Sequence, residues 1–574
     1  MSFTLSTDPS VPIRPYTVRF LPSGAAATAG RDETLLAVAR RAGLVVDAPC
    51  GGEGTCGKCV IRVPQTVRGG VRVEDDGVLT AEDIREGLVL SCQAMVAGDV
   101  EVFIPDAGTG VGMRILTDGY TGEVHLDPHI RKRYHAHEQA TLVYAGDDVI
   151  GEEPGDTTRE VYAAAVDVGT TTLVASLLDL SRGAVVATES SLNPQALHAQ
   201  DVLSRIKTAS TDQGLAFLHG MLRDEINVLL SRLATSSGVR LHRVYEVALS
   251  GNTCMLHLAT GAPTASLGKY PYTPAIRGGY SLPATDVGLR IAPFGQVYLP
   301  PIIGPYVGAD ITSGILVTQL ERRPGVVLFV DIGTNGEIVL SDNGRLLAAS
   351  TAAGPAFEGM NIRHGMRAGP GAVERFRIAT DLTIHAVTIG GQPASGICGS
   401  GLVDIVAELV RVGIVAPNGR MARPTTLGVP ALEDRLLLLD GKPAFRVAKA
   451  IYLTQSDVRH VQFAKGALRA GIELLLKHAG RAADQVDEVI IAGSFGYHLQ
   501  VDSLARLGLL PAVLSDRVRF VGNTSRTGAE AFLLNTKARH HIHELVARVN
   551  VVELADDARF QAVFVQSMGF GQAS

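Results

Sequence analysis

The sequence predicts an α/β protein of several domains, and three observations carry that expectation. Three cysteines crowd a glycine-rich loop near the N-terminus, CGGEGTCGKC (50–59), amid short alternating segments. A polar stretch with scattered glycines follows. From Val161 onward, long β-branched strands alternate with helical patterns, and two of those strands end in the same Asp-X-Gly-Thr turn.

Length and composition bound the rest. At 574 residues the chain can form several domains of about 150 residues each. A hydrophobic share of 46%, a charged share of 19% and a formal charge of −6 are ordinary for a globular protein and point to no nucleic-acid partner. No apolar run reaches the ~18 residues that span a bilayer, and the opening MSFTLSTDPSVPIRPYTV has no apolar signal core. A cytoplasmic protein without membrane contact is expected. Cys254 and Cys398 lie far apart in apolar or glycine-rich contexts and read as unpaired thiols filling the core.

In chain order, PYTVRF (15–20) alternates as a strand does, and Asp32 is placed to cap a helix, ETLLAVARRA, that stops at Gly43. After the cysteine loop come a strand KCVIRV (58–63), a helical turn AEDIREG (81–87), a further cysteine in VLSCQA and a closing strand DVEVFIP (99–105). Cys50, Cys56, Cys59 and Cys92 form the set that holds an iron–sulfur cluster, with Gly51, Gly52, Gly54 and Gly57 letting the loop wrap it. Zinc is the alternative, but structural zinc sites bring thiols in C-x₂-C pairs and Cys92 stands alone. Five residues separate Cys50 from Cys56, one more than in plant-type ferredoxins. That spacing resembles the adrenodoxin-like 2Fe-2S ferredoxins, and the order of elements resembles their β-grasp domain over residues 1–105.

DAGTGVGMRILTDG (106–119) reads as a hinge, and the polar segment through GEEPGDTTRE reads as an interdomain connection or small middle region, 106–158. Arg131, Lys132 and Arg133 within it are expected on a solvated face.

VYAAAVDVGTTTLVASLLDL (161–180) and GVVLFVDIGTNGEIVLSDNG (325–344) repeat one pattern: apolar strand, Asp-X-Gly-Thr, tight turn, second strand. Such a turn suits phosphate. Gly169 and Gly333 admit close backbone approach; Thr170, Thr171, Thr172, Thr334, Asn335 and Gly336 offer hydroxyl and amide donors; Asp167 and Asp331 can hold Mg²⁺ through water, which makes them the candidate catalytic pair. The duplication resembles the superfamily of acetate and sugar kinases, heat-shock chaperones and actin (ASKHA), whose two ribonuclease-H-like lobes bind ATP between them. Lobe one is expected at 159–323 and lobe two at 324–574. SGNTCMLHLATG (250–261) and ICGSGLVDIVAELV (397–410) resemble the connecting segments of that fold. IAGSFGYHL (491–499) resembles its adenosine motif through Gly493, Ser494 and Gly496. Unlike the chaperones, the chain places Asn252 after the first connecting glycine, with no carboxylate there. Asp331, Glu337 and Glu358 are the candidate bases.

YPYTPAIRGGYSLPATD (270–286) and YLPPIIGPYVGADI (298–311) read either as surface recognition segments or as plain packing loops. LTQSDVRHVQFAKGALRAGIELLLKHAG (453–480) puts Val458, Val461, Ala464, Leu468, Ile472 and Leu475 on one face of a buried helix stopped by Gly480. Lys449 and Lys465 are expected at the surface, with contact to nucleotide as the alternative. His540, His541 and His543 cannot share one helix face and read as solvated.

Ferredoxin, linker and two-lobed ATPase together resemble the reductive activators of corrinoid proteins. The cysteine set, DVGTTT (167–172), NPQALHAQDVLSRI (193–206), VDIGTNGEI (330–338) and LTQSDVRHVQFAKGALRAGI (453–472) carry the resemblance, with the connecting and adenosine segments. It implies a 2Fe-2S cluster, ATP and Mg²⁺, a partner corrinoid protein of a methyltransferase system and an external low-potential donor. It also implies the reaction: ATP-dependent return of one electron to Co(II) cobalamin. A small-molecule kinase with a redox-sensing domain and a nucleotide-gated chaperone-like module are the alternatives. The oligomeric state stays open, a homodimer included.

Overall fold

The computed structural model describes residues 15–571, except 22–23, 43, 45, 47–58, 65–68, 74–78, 80–83, 86, 105–112, 115–122, 125, 200, 367, 425–429, 440 and 494–498. The chain divides into two units after Val111.

In the first unit, alternation buries Val18 and Phe20 and exposes Thr17 and Arg19, forming the strand Tyr16–Leu21. The five-stranded sheet runs Ala26–Ala29, Tyr16–Leu21, Val100–Phe103, Val60–Arg62, Leu88–Leu90, with its first and last strands in sequence pairing in parallel. The helix Leu35–Arg41 covers this sheet through Leu35 and Val38. Its cap is not Asp32. The Thr34 hydroxyl accepts the Ala37 N–H at 3.2 Å, because only the residue adjoining the first turn can reach its free N–H groups. Gly43 lies outside the described residues.

The second unit holds two six-stranded sheets of matching plan. Three antiparallel strands, Tyr162–Val168, Thr172–Asp179 and Ala184–Leu192, pair on their open side with parallel Val244–Ser250. Val326–Ile332, Gly336–Asp342 and Arg345–Thr351 do the same with parallel Glu488–Ala492. The repeated sequence is thus a repeated fold, with each Asp-X-Gly-Thr turn at the same hairpin.

Two cores belong to single lobes and a third joins them. Ala163, Ala165 and Tyr245 of the first sheet meet Phe329, Val339 and Ile490 of the second around Ile311, Ile315 and Phe532. The helices Ala309–Thr318 and Thr524–Leu534 supply that middle layer. The helix Thr536–Val546 packs there too, its Arg539 forming a buried bidentate pair with Glu246 of lobe one at 2.9 and 2.8 Å. After these helices the chain returns to the second sheet as Asn550–Val551, beside Arg345–Thr351.

The helix Gln455–Ala479 is the expected scaffold. A Thr454–Asp457 capping box starts it, Gly480 in the left-handed region stops it, and all six apolar positions from Val458 to Leu475 are fully buried.

Residues 130–154, expected as part of a polar connection, form a three-stranded sheet: Ile130–His135, Ala140–Ala145, Asp148–Pro154. Strand alternation separates the three basic residues. Arg131 and Arg133 face water, while the Lys132 ammonium is buried against Glu153 (2.8 Å) and the Tyr245 hydroxyl (2.6 Å). Among the described residues no helix is long and apolar enough to cross a membrane.

Candidate functional site

The turn after Tyr162–Val168 is held from behind. Asn193 donates its side-chain amide to Gly169 O at 2.9 Å and its backbone N–H to Thr171 O at 2.9 Å, and Arg205 Nη2 donates to Thr170 O at 2.6 Å. Three successive carbonyls are therefore drawn to one side. A trans peptide points its N–H opposite its C=O, so the clamp turns the N–H side of this stretch toward the cavity that Gly169, Thr170, Thr171 and Thr172 line. Asn252 adds a fourth hold: its amide nitrogen donates to Thr170 Oγ1 at 3.0 Å while its oxygen caps the helix Thr253–Thr260.

Gly333, Thr334 and Asn335 of the second turn line the same cavity. The two turns meet at Glu358, delivered by the segment after the second hairpin. Glu358 Oε2 accepts from Thr171 Oγ1 and, at 2.9 Å, from Thr334 Oγ1, and the two hydroxyls lie 3.3 Å apart. In this arrangement each hydroxyl can spend its proton on Glu358, leaving its lone pairs to accept.

Five carboxylates share the cavity: Asp167, Asp310, Asp331, Glu337 and Glu358. Asp167 is fixed by Asn523 Nδ2 and Ser525 Oγ, each at 2.8 Å, at the N-terminus of the helix Thr524–Leu534. Asp331 accepts no side-chain hydrogen bond from the described residues. Burial, with the charges of Asp310, Asp167 and Glu358, holds its carboxyl well above the ordinary range. Burial likewise raises Asp167 and lifts Glu337 well above its usual value, and it pushes Asp310 up to about 7, with Asp167 adding repulsion. No lysine or arginine lines the cavity among the described residues. Carboxylates so raised take up protons readily, although no three of them are arranged to hold a metal ion among the described residues.

Of the expected nucleotide residues, Gly336 sits between the lining residues Asn335 and Glu337 without lining the cavity itself, and a Cβ there would collide with Leu468 of the long helix, so its small size serves packing. Gly493 belongs to the cavity, and its φ of 115° brings it so near lobe two's first strand that a Cβ would sit 2.5 Å from Ile332 O. Ser494 and Gly496 lie outside the described residues. Lys449 is exposed. Lys465 is buried, donating to Gly569 O beside the Phe570 ring, which corrects both readings of it. The segment 298–311 is no surface loop. Ala309 N–H donates to Gly251 O at 2.9 Å, which sets Asp310 beside Asn252 and supplies a carboxylate where the first connecting segment has none. Asp310, Asn193, Arg205, Asn523 and Ser525 went unassigned in the sequence; the dense motif around Asn193 was the one available signal.

In the first unit, Cys59 and Cys92 place their sulfurs 3.1 Å apart, beyond the ~2.05 Å of a disulfide and close enough for one metal ion to bind both. Leu36 and Leu90 pack around them, and Ser91 N–H donates to Cys59 O at 2.8 Å. Cys50 and Cys56 lie outside the described residues. Two converging thiols in an apolar pocket beside the cysteine loop fit an iron–sulfur cluster.

Comparison with known proteins identifies the domains that carry these residues. Residues 18–97 match the 2Fe-2S iron–sulfur cluster binding domain, 162–323 the RACo middle region, and 325–574 the C-terminal domain of RACo, the ASKHA domain. The chain is 28% identical to the corrinoid activation enzyme RamQ of Eubacterium limosum, over 92% of this chain and 95% of that one. It is 25% identical to the [Co(II) methylated amine-specific corrinoid protein] reductase of Methanosarcina barkeri, over 69% and 74%. A solved structure, a reductive activator for corrinoid, iron–sulfur protein, shares 32% identity and a TM-score of 0.74 across 97% of this chain and 98% of that one. Fold and site thus define an iron–sulfur protein whose ferredoxin-type domain precedes an ASKHA-type ATP-binding domain. The chain belongs to the family of reductive activators of corrinoid proteins.

Proposed function

We propose that this protein reduces the Co(II) corrinoid of a partner protein to Co(I), one electron per event, in a reaction coupled to ATP. The observation that carries the reading is the pairing, in one chain, of the Cys59–Cys92 thiol site with two phosphate-type turns joined at Glu358. When bound, the 2Fe-2S cluster supplies a single electron, which an external donor restores. Cys50, Cys56, Cys59 and Cys92 hold it.

In the second unit, the turns 169–172 and 333–335 take the phosphates, Asp167 and Asp331 face Mg²⁺, and Gly493 with Ser494 and Gly496 receives adenosine. Asp167 has fixed oxygens and acts as an anchored carboxylate, whereas Asp331 is free to gain a cation or a water. Each ~59 mV of uphill potential costs about 1.4 kcal/mol for one electron. Nucleotide offsets that cost only by favouring one arrangement of the protein over another. Because Thr171 and Thr334 share Glu358, a phosphate pulling on either turn is felt by the other. That linkage supports ATP use in switching the protein between arrangements.

The test is the electron paramagnetic resonance signal of Co(II) in a corrinoid partner mixed with reduced protein. The signal should decay faster with MgATP than without it. Equal decay in both would refute the coupling.

A further inference from the structure

Arg205 is fully buried, and among the described residues no carboxylate pairs with it. Its helix, Val202–Thr208, begins at Asp201, whose side chain is spent on the Ser204 N–H. The guanidinium donates to Ala199 O at 3.0 Å, Thr170 O at 2.6 Å and Met255 Sδ at 2.9 Å. Burial pushes it down to about 10, yet it stays protonated near neutral pH. Asp201 and Glu358 act on it only through space, so among the described residues this buried cation has no bonded counter-ion, and burial without one is costly.

Direction comes from the contact with Thr170. That carbonyl is the middle one of the three drawn back from the first turn, and on the turn's other face lies a cavity rich in carboxylates. A cation bonded to a carbonyl polarises its peptide and makes the amide end a stronger donor. Among the described residues the second turn has no such backing: Thr334 O accepts a backbone N–H, from Gly354 at 2.8 Å. Carboxylates stand beside both turns, but only the first is backed by a cation among the described residues.

We propose that Arg205 is a positioning residue for the phosphate chain. It gives the lobe-one turn the positive potential that draws the nucleotide's phosphates to that turn. The ligand class is a nucleoside di- or triphosphate with a divalent cation. The proposal rests on reading the cavity as the nucleotide site.

The test is calorimetric binding of MgATP, MgADP and adenosine to the full chain and to Arg205→Met and Arg205→Lys, with melting curves of each. Arg205→Met should lose at least about tenfold in MgATP affinity and keep adenosine affinity within about twofold, at a temperature where its melting curve shows it folded. Arg205→Lys, which keeps the charge, should recover most of the loss. Should Arg205→Met not fold, Arg205→Gln, which keeps a donor but no charge, carries the same expectation. Equal losses for adenosine and MgATP would make the residue merely structural and overturn the proposal, as would an undiminished MgATP affinity. If the parent chain itself binds no MgATP, the reading of the cavity falls as well; if the parent binds and Arg205→Met matches it, only the role of Arg205 falls.

Discussion

Ser313 and Gly528 occupy one crossing point: a Cβ added to Gly528 would lie 2.5 Å from Ser313 Cα. The helices that bear them form the layer between the lobes, so this contact sets how closely the two helices of that layer pack. Gly528→Ala should destabilise the protein by about 1–3 kcal/mol through overpacking, measured by denaturant unfolding. Ser313→Gly in the same chain should restore part of that loss. A double variant no better than Gly528→Ala alone would show that the strain lies elsewhere.

The carboxylate cluster makes stability depend on pH. Asp310 is held at about 7, above its ordinary 3.8, so it binds a proton in the folded state that the unfolded chain has already released. Its stabilising contribution is complete at low pH and fades as pH rises through about 7. With chelator present, the melting temperature should therefore fall between about pH 5 and pH 8, and Asp310→Asn should flatten the fall. Mg²⁺ should flatten it as well, by taking the place of the proton. An unchanged slope in Asp310→Asn would assign the effect to Asp331 or Glu337.

Glu358 ties the two turns together by accepting a hydroxyl proton from each. Glu358→Gln keeps an oxygen that can accept from both hydroxyls but removes the charge that strengthens those bonds, and a hydrogen bond to a charged group is worth about 1.5–3 kcal/mol. ATP turnover should fall about tenfold to a hundredfold, read as kcat/KM. Turnover at the parental rate would exclude both bridging and base roles for this residue.

Cys59→Ser removes one of the two converging sulfurs. The purified protein should lose the visible absorption of the iron–sulfur cluster and its reduction of Co(II), while MgATP binding persists. A variant that still reduces the partner would favour a nucleotide-gated chaperone-like role.

Much of this was legible in the chain because it rests on local pattern. The two Asp-X-Gly-Thr hairpins follow from alternation and turn chemistry, and the six apolar positions of Gln455–Ala479 follow from helical period. What stayed hidden depends on contacts between distant segments. Asp310 reads as part of a proline-rich loop until Gly251 O is seen to hold its backbone. Lys132 reads as one of three surface cations until strand alternation turns it toward Glu153. Lys465 reads as a surface or nucleotide lysine until the residues around Phe570 close over it. Arg205 lies inside a motif that was visible as a motif, but nothing in the spacing shows which carbonyl it meets.

Asp167 is anchored by Asn523 and Ser525, which follow it by 356 and 358 positions. On the ribosome, then, lobe one leaves the exit tunnel long before the residues that fix its own carboxylate exist, and its inner face waits uncovered for Phe532 and Arg539. Truncating the chain near residue 520 would therefore strip that lobe of Asn523, Ser525, Phe532 and Arg539 at once.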